Sequence, residues 1–278
     1  MYVQPQDLVD AGRCKSLDAA QQQIDAKFQR ILNNTQGNKD DRPWGIVQLD
    51  KRLDPKDDWV GYEFETGFDK KEDYHRACNY LWFKQDYTCI DREGTGKYPM
   101  EIVYSPQNAA EVFAGNGLLR ATVQFFADND MVPAKNPTTF SRRDVGIHVN
   151  ISTPKKRKSS DGYWGADPVL NKVNKALSSI TRDQHDELYG RHDMHWGYGN
   201  NRGKYWEFKL FRSLPTLDRI TTVETVTKNL LKLIHYYEDN PTAGDCTNAY
   251  DVLSGKSNRV MTGGEVNKKP AVKRAQKV

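Results

Sequence analysis

Four stretches of this chain alternate polar with bulky apolar residues, and a period of two marks a β-strand that buries one face. They are DWVGYEFETGF at 58–68, the hairpin-like DYTCIDREGTGKYPMEIVYSP at 86–106, DVGIHVNIS at 144–152 and GKYWEFKLFRSLPTLD at 203–218. Val60, Tyr62 and Phe64 share one face of the first, with Glu63 and Glu65 on the other. In the third, Ile147, Val149 and Ile151 oppose His148 and Asn150. The second stretch turns at EGTG and adds Glu101; the fourth adds Glu207 and Lys209.

Helical spacing fills the intervals. Ser16 opens a run in which Leu17, Ala20, Ile24, Phe28 and Ile31 recur. Residues 71–84 carry Tyr74, Cys78, Leu81 and Trp82, and helical spacing returns over 107–131, broken by Gly115 and Gly117. Asp167-Pro168 forms an N-cap and N1 pair before Leu170, Val173, Leu177 and Ile180. The clearest helix spans 219–238, with Ile220, Val223, Val226, Leu230, Leu233 and Tyr237 on one face. Neither GxxxxGK[ST] nor GxGxxG occurs, so P-loop and dinucleotide-binding folds fall away. The order predicts an α+β domain whose antiparallel sheet has one polar face and one face under helices.

Composition narrows the setting. With 278 residues, 37% hydrophobic content and 11% aromatics, the chain can build a core, and its polarity belongs to loops and tails. No apolar run approaches the roughly 20 residues that span a bilayer, and residues 1–12 lack a secretory pattern. Cys14, Cys78, Cys89 and Cys246 have no CxxC spacing, so neither a disulfide framework nor a zinc site is expected. These features predict a soluble, cytoplasmic protein without a membrane partner. The net charge of +4 is local, in PKKRKSS at 154–160 and NKKPAVKRAQKV at 267–278. Both runs suit a polyanion, but each also reads as a solvated loop or a disordered tail, and nucleic acid is not expected as a partner.

The polar sheet face carries the chemistry. Four glutamates and a histidine on one concave sheet repel one another unless cations intervene, and hard oxygen donors select Mg²⁺ or Mn²⁺. Magnesium leaves open positions for phosphate oxygens. Taken singly, each glutamate is also the ordinary wet-face residue of an antiparallel strand, and His148 an ordinary core histidine.

The joint pattern resembles the amidoligase branch of the glutamine synthetase-like carboxylate–amine ligases. GYEFETG (61–67) resembles its opening strand with paired glutamates, and CIDREGTGKYPMEIVYSP (89–106) its aspartate-containing hairpin. VGIHVNIS (145–152) resembles the histidine strand, and YWEFKLFRSLPTLDRI (205–220) the strand and turn that open the last helix. The resemblance implies a partly barrelled antiparallel sheet with helices on its outer face, ATP and Mg²⁺ (or Mn²⁺) as cofactors, and carboxylate and amine substrates: small molecules, peptides or protein side chains. It implies amide formation through an acyl phosphate. By carry-over, Glu63, Glu65, Glu101, His148 and Glu207 hold metal, and Lys209 meets phosphate where the family has arginine. Arg212 can take that place only if the strand bends, and Asp91 orients a ligand or the amine. Asn150 stands where the family has a second histidine and is assigned to substrate. Lysine lacks the bidentate fork of arginine, so a degenerate member is the second reading: a structural or binding protein of a larger assembly, virus-like or otherwise multi-protein.

His185, His192 and His195 beside Asp193 fit no standard ligand spacing and read as a polar loop near the cleft, with Arg191 facing substrate. The organisation expected is an N-terminal helical appendage over 1–50, a catalytic domain over 51–254 and a flexible basic tail over 255–278. The appendage or the tail would meet a protein partner.

Overall fold

The computed structural model describes residues 5–10, 14–34, 53–83, 88–91, 97–134, 146–159, 166–190, 198–212 and 216–263. Helices α1 (Pro5–Asp10) and α2 (Leu17–Asn34) come first. Ser16 Oγ accepts from the Ala19 N–H, as an N-cap should, and Leu8 and Ala20 are buried. Then follow β1 (Trp59–Phe68), α3 (Lys71–Phe83), β2 (Thr88–Asp91), β3 (Tyr98–Tyr104) and β4 (Gln107–Asn108). The 107–131 stretch folds as α4 (Ala109–Glu111), a π-turn over Val112–Asn116 and α5 (Leu118–Asp128). The break falls at Gly115, whose φ of 90° suits glycine, and at extended Gly117. The remaining elements are β5 (Gly146–Ser152), α6 (Pro154–Lys158), α7 (Pro168–Ser178), α8 (Arg182–Tyr189), β6 (Gly199–Asn201), β7 (Trp206–Arg212), α9 (Leu217–Asp239) and α10 (Ala249–Leu253). No described helix is long and apolar enough to cross a membrane.

The strands pair antiparallel in the order β2-β3-β1-β5-β7-β6, with β4 on β1. Here one expectation is corrected: the described strands form an open sheet, not a partial barrel, because β2 and β6 at the two edges do not pair. The register aligns the apolar residues of successive strands. Phe64 faces Ile102 and Ile147, and Val149 faces Tyr62 and Phe208. All of these are essentially inaccessible. Helices cover this face: Phe126 of α5 meets Phe68 edge-on at 5.3 Å, Tyr104 bonds Thr122 of α5 at 2.8 Å, and Tyr189 of α8 meets Phe211 at 5.5 Å. The six apolar residues read on the α9 face are all buried.

The basic run 154–158 is a helix, not a loop; Lys156 and Arg157 turn inward, while Lys155 and Lys158 stay exposed. Thr153 caps α6 by accepting from the Lys156 N–H, and Pro154 follows. Lys156, 3% exposed, pairs with Asp167 at 2.6 Å, and Trp206 Nε1 donates to the same carboxylate at 2.7 Å. Arg157 lies 3.8 Å over the Trp59 ring and donates to the carbonyls of Ser152, Pro55 and Asp57. Lys155 pairs with Asp239, and Lys204 closes the end of α6 through the Arg157 and Ser159 carbonyls. Two further segments depart from the sequence reading. Residues 182–189 form a helix capped by Thr181 and Gln184 and ended by left-handed Gly190, since only His185, Leu188 and Tyr189 of this polar run turn inward. Residues 255–263, grouped with the tail by composition, lie against the body: Thr247 N–H donates to the Met261 carbonyl at 2.8 Å, and Val260 is buried.

A histidine ties the start of β1 to α9. His235 Nε2 lies 2.8 Å from Asp58 and Nδ1 3.2 Å from Glu238. A ring with a carboxylate on each nitrogen holds both protons. The bonds to Asp58 and then Glu238 outweigh burial and push its pKa up to about 10. The folded value exceeds the unfolded one of about 6.5, so the stabilisation is complete below that pH and is lost as pH rises towards 10. The ring is 39% exposed, and solvent screening holds the effect to about 1 kcal/mol. Melting wild type and His235→Asn near neutrality and near pH ~10 should show the gap between them narrowing at the higher pH; a constant gap contradicts the assignment.

Candidate active site

Glu63 and Glu65 point the same way from β1 because two residues separate them by one pleat. The register sets Glu65 opposite Glu101 of β3 and Glu63 opposite His148 of β5; Asn150 in turn faces Glu207 of β7. Four strands thus deliver five donors to one face. The donors form two groups, Glu63–His148–Glu207 and Glu65–Glu101–His148, and within each the donor atoms lie within 4.8 Å of one another.

This is not a solvated face. Glu207 is 4% exposed, His148 8% and Glu101 9%. Charged groups are almost never buried this far unless paired or bound to a cation. The ordinary wet-face reading is therefore corrected for Glu101 and Glu207, while Glu63 and Glu65 are half-buried.

His148 joins the two groups. Its Nδ1 lies 3.0 Å from Glu63 and 3.8 Å from Glu207, and its Nε2 lies 3.6 Å from Glu65. With a cation bound the ring would have to be neutral, and its one lone pair could then serve only one of the two groups, its N–H donating to the other. Asn150 Nδ2 donates to Glu63 at 3.0 Å, and the Gly146 N–H donates to Glu65 at 2.7 Å. A Cβ at Gly146 would sit a tight 3.0 Å from the Phe211 carbonyl, so a larger residue there must push β7 by a few tenths of an ångström. Burial pushes the Glu63 carboxyl up, but the bonds and charge of His148, the Asn150 amide and Lys209 more than offset it, leaving the pKa below its ordinary value.

Lys209 Nζ lies 3.4 Å from Glu207 Oε1. Arg212 joins this face by an irregularity that the sequence does not announce. Ile147 faces Phe211 while Val149 faces Phe208, so β7 carries one extra residue there. The bulge returns Arg212 to a position opposite Gly146, on the His148 side. The required bend is thus present, and Arg212 Nε is a buried polar atom with no hydrogen-bond partner. Asn150 Oδ1 is another. Asp91 stands opposite Glu101 across β2 and β3.

Other expected residues fall elsewhere. His185 is buried in α8 among Tyr189 and Tyr198, away from any described metal group, and burial lowers its pKa. Arg191, His192, Asp193 and His195 lie outside the described residues, as do residues 264–278. The sequence reading missed Arg202. It follows β6 in the tight turn to β7, donates from Nε to Glu207 Oε2 at 2.5 Å and also pairs through Nη2. The signal was the Asn-Arg-Gly turn, which makes a hairpin of the segment before the fourth strand.

No family model matches this chain, and no curated protein does. Among solved structures it is similar to apo GmaS without ligand, at 11% identity and a TM-score of 0.45, over 74% of this chain and 60% of that one. It is similar to GmaS in a complex with ADP at 12% identity and a TM-score of 0.42, over 73% and 60% of the two chains. A third likeness, to a glutamine synthase homolog, has 9% identity and a TM-score of 0.39, over 79% and 59%. The chain thus spans about three fifths of the length of the structures it matches.

Proposed function

We propose that this chain is an ATP- and Mg²⁺-dependent carboxylate–amine ligase that forms an amide through an acyl phosphate. The observation that carries the reading is the meeting of Glu63, Glu65, Glu101, His148 and Glu207 in two groups sharing one imidazole. The donors fit a hard divalent cation: each group offers two carboxylates, and the shared imidazole adds a ring nitrogen to one of them, which suits Mg²⁺ and suits Mn²⁺ better still. The buried, unpartnered Asn150 Oδ1 lies on the same face. A cation bound there supplies charge neutralisation for phosphate oxygens.

In this reading the chain holds the groups that a free carboxylate needs to become an acylating agent. The substrate carboxylate oxygen attacks the γ-phosphorus of ATP and ADP leaves. The amine nitrogen then attacks the acyl carbon, inorganic phosphate leaves, and the nitrogen sheds its proton. Lys209 and Arg212 face the transferred group and stabilise the charge that spreads over its oxygens. Asn150 holds substrate through its free carbonyl oxygen; for Asp91 and Arg191 the proposed roles, orienting the amine and contacting substrate, rest on the sequence reading. A hydroxylamine trap tests the chemistry without knowledge of the amine. Incubating the protein with MgATP, hydroxylamine and a panel of carboxylates should yield a hydroxamate and matching ADP. A folded protein that binds MgATP yet forms no hydroxamate from any carboxylate contradicts the ligase reading.

One observation favours the second reading, a non-catalytic binding or structural protein. Both oxygens of Glu207 are engaged by the chain's own cations, Arg202 and Lys209. That reading expects neither hydroxamate nor ADP.

A further inference from the structure

Arg219, in the first turn of α9, is a buried cation with one edge unpaired. It is 9% exposed, and its Nη1 donates to the Leu188 carbonyl near the end of α8 at 3.1 Å. Its guanidinium lies 5.7 Å from the centre of the Phe211 ring, on the helix-covered side of the sheet and not on the carboxylate face. Nε and Nη2 are buried and have no hydrogen-bond partner. These two donors form one edge of the planar guanidinium, and their parallel N–H bonds match two oxygens of a carboxylate or a phosphate. The surroundings add positive charge. A Cβ on Gly190 would lie 3.0 Å from Arg219 Nη2 and 3.8 Å from Arg212 Cβ, so the two arginines flank one glycine. Arg212 Nε is a further buried donor without a partner. Burial pulls the Arg219 pKa down to about 10 against the charge of Asp186, which is exposed on α8. Capping the Leu188 carbonyl uses one N–H and leaves this edge unexplained. Charges so deep are ordinarily paired, because taking a lone charge out of water is costly.

We infer that Arg219 is the centre of an oxyanion-binding site at the junction of α8, β7 and α9, where its Nε–Nη2 edge takes a carboxylate or phosphate group. Arg212 borders the site and adds a second positive charge. None of the metal-donor residues belongs to it, and it requires neither metal nor nucleotide, so it does not rest on the ligase reading.

The test is titration calorimetry of inorganic phosphate and, separately, of acetate into the full chain with EDTA present, joined to melting in each of these salts and in chloride. Wild type should bind one of the two anions, and the tighter of them identifies the group. Arg219→Met should lose that binding. In chloride it should melt no lower than wild type, since an unpaired buried charge is gone; in the bound anion wild type should melt higher, with the variant correcting for general salt effects. Arg219→Lys keeps the charge without the fork and should bind roughly tenfold more weakly or worse. Binding of neither anion by folded wild type overturns the inference, as does a folded Arg219→Met that binds as wild type does. A variant that melts lower by the same margin in every salt also overturns it, leaving Arg219 as a cap on α8. If Arg219→Met does not fold, wild type and Arg219→Lys decide, and equal affinity in the two contradicts the inference.

Discussion

Replacing Lys156 by methionine should cost this protein roughly 3 to 5 kcal/mol of stability, the cost of stranding one partner of a buried ion pair. The melting temperature should fall by on the order of 10 °C. Lys156 sits in α6, and its ammonium meets Asp167 at 2.6 Å with the Trp206 ring 5.1 Å away. Asp167 caps α7 by accepting the Leu170 N–H and also takes the Trp206 N–H. Burial pushes its carboxyl up, but these bonds and Lys156 pull it below the ordinary aspartate value. The pair therefore stabilises the fold above the unfolded pKa, and its contribution is lost as pH falls through the lowered one. Converting Asp167 to asparagine in the same molecule should recover most of the loss. Asparagine still caps the helix and carries no stranded charge. A solvated basic loop predicts the opposite: an unchanged melting temperature for Lys156→Met.

The second large effect divides function from stability. Glu65→Gln should weaken Mn²⁺ binding at least a hundredfold, since loss of a supporting group alone costs about 10–100-fold. The metal-free variant should nevertheless melt no lower than wild type, and up to a few degrees higher. Its amide oxygen still accepts the Gly146 N–H, and one of several crowded carboxylates is gone. Titrating Mn²⁺ into both proteins and melting both without metal checks the two signs together. A variant that keeps its Mn²⁺ affinity would remove Glu65 from the ligand set. A variant that keeps its affinity and melts lower would make Glu65 an ordinary structural residue.

The sheet and its site were legible because both depend on periodicity. A period of two fixes which residues share a face, and antiparallel register then carries Glu63 and Glu65 to Glu101 and His148 without further information. What was illegible depends on single irregularities. The bulge that returns Arg212 to the site adds one residue to β7, and the run KLFR does not show where it falls. The run 154–158 is four consecutive basic residues after a proline, and only the tertiary partners Asp167 and Trp59 show that two of them, Lys156 and Arg157, turn inward. Arg202 was missed for a related reason: the Asn-Arg-Gly turn signals the hairpin but not the partner of its arginine. A turn residue has no face until the hairpin forms, and its guanidinium reaches Glu207 only once β6 lies beside β7. Sheet closure was expected from resemblance alone, and the short β6 leaves that edge open.

The proposed function requires that the carboxylate face bind nucleotide through a divalent cation. Calorimetry of ATP with wild type and Glu63→Gln, each with and without Mg²⁺, tests it most directly and needs no knowledge of the carboxylate or the amine. Wild type should bind with micromolar affinity, the binding should vanish without Mg²⁺, and Glu63→Gln should lose it while keeping the fold. Absence of binding by folded wild type in the presence of Mg²⁺, or binding that Glu63→Gln leaves intact, would contradict it.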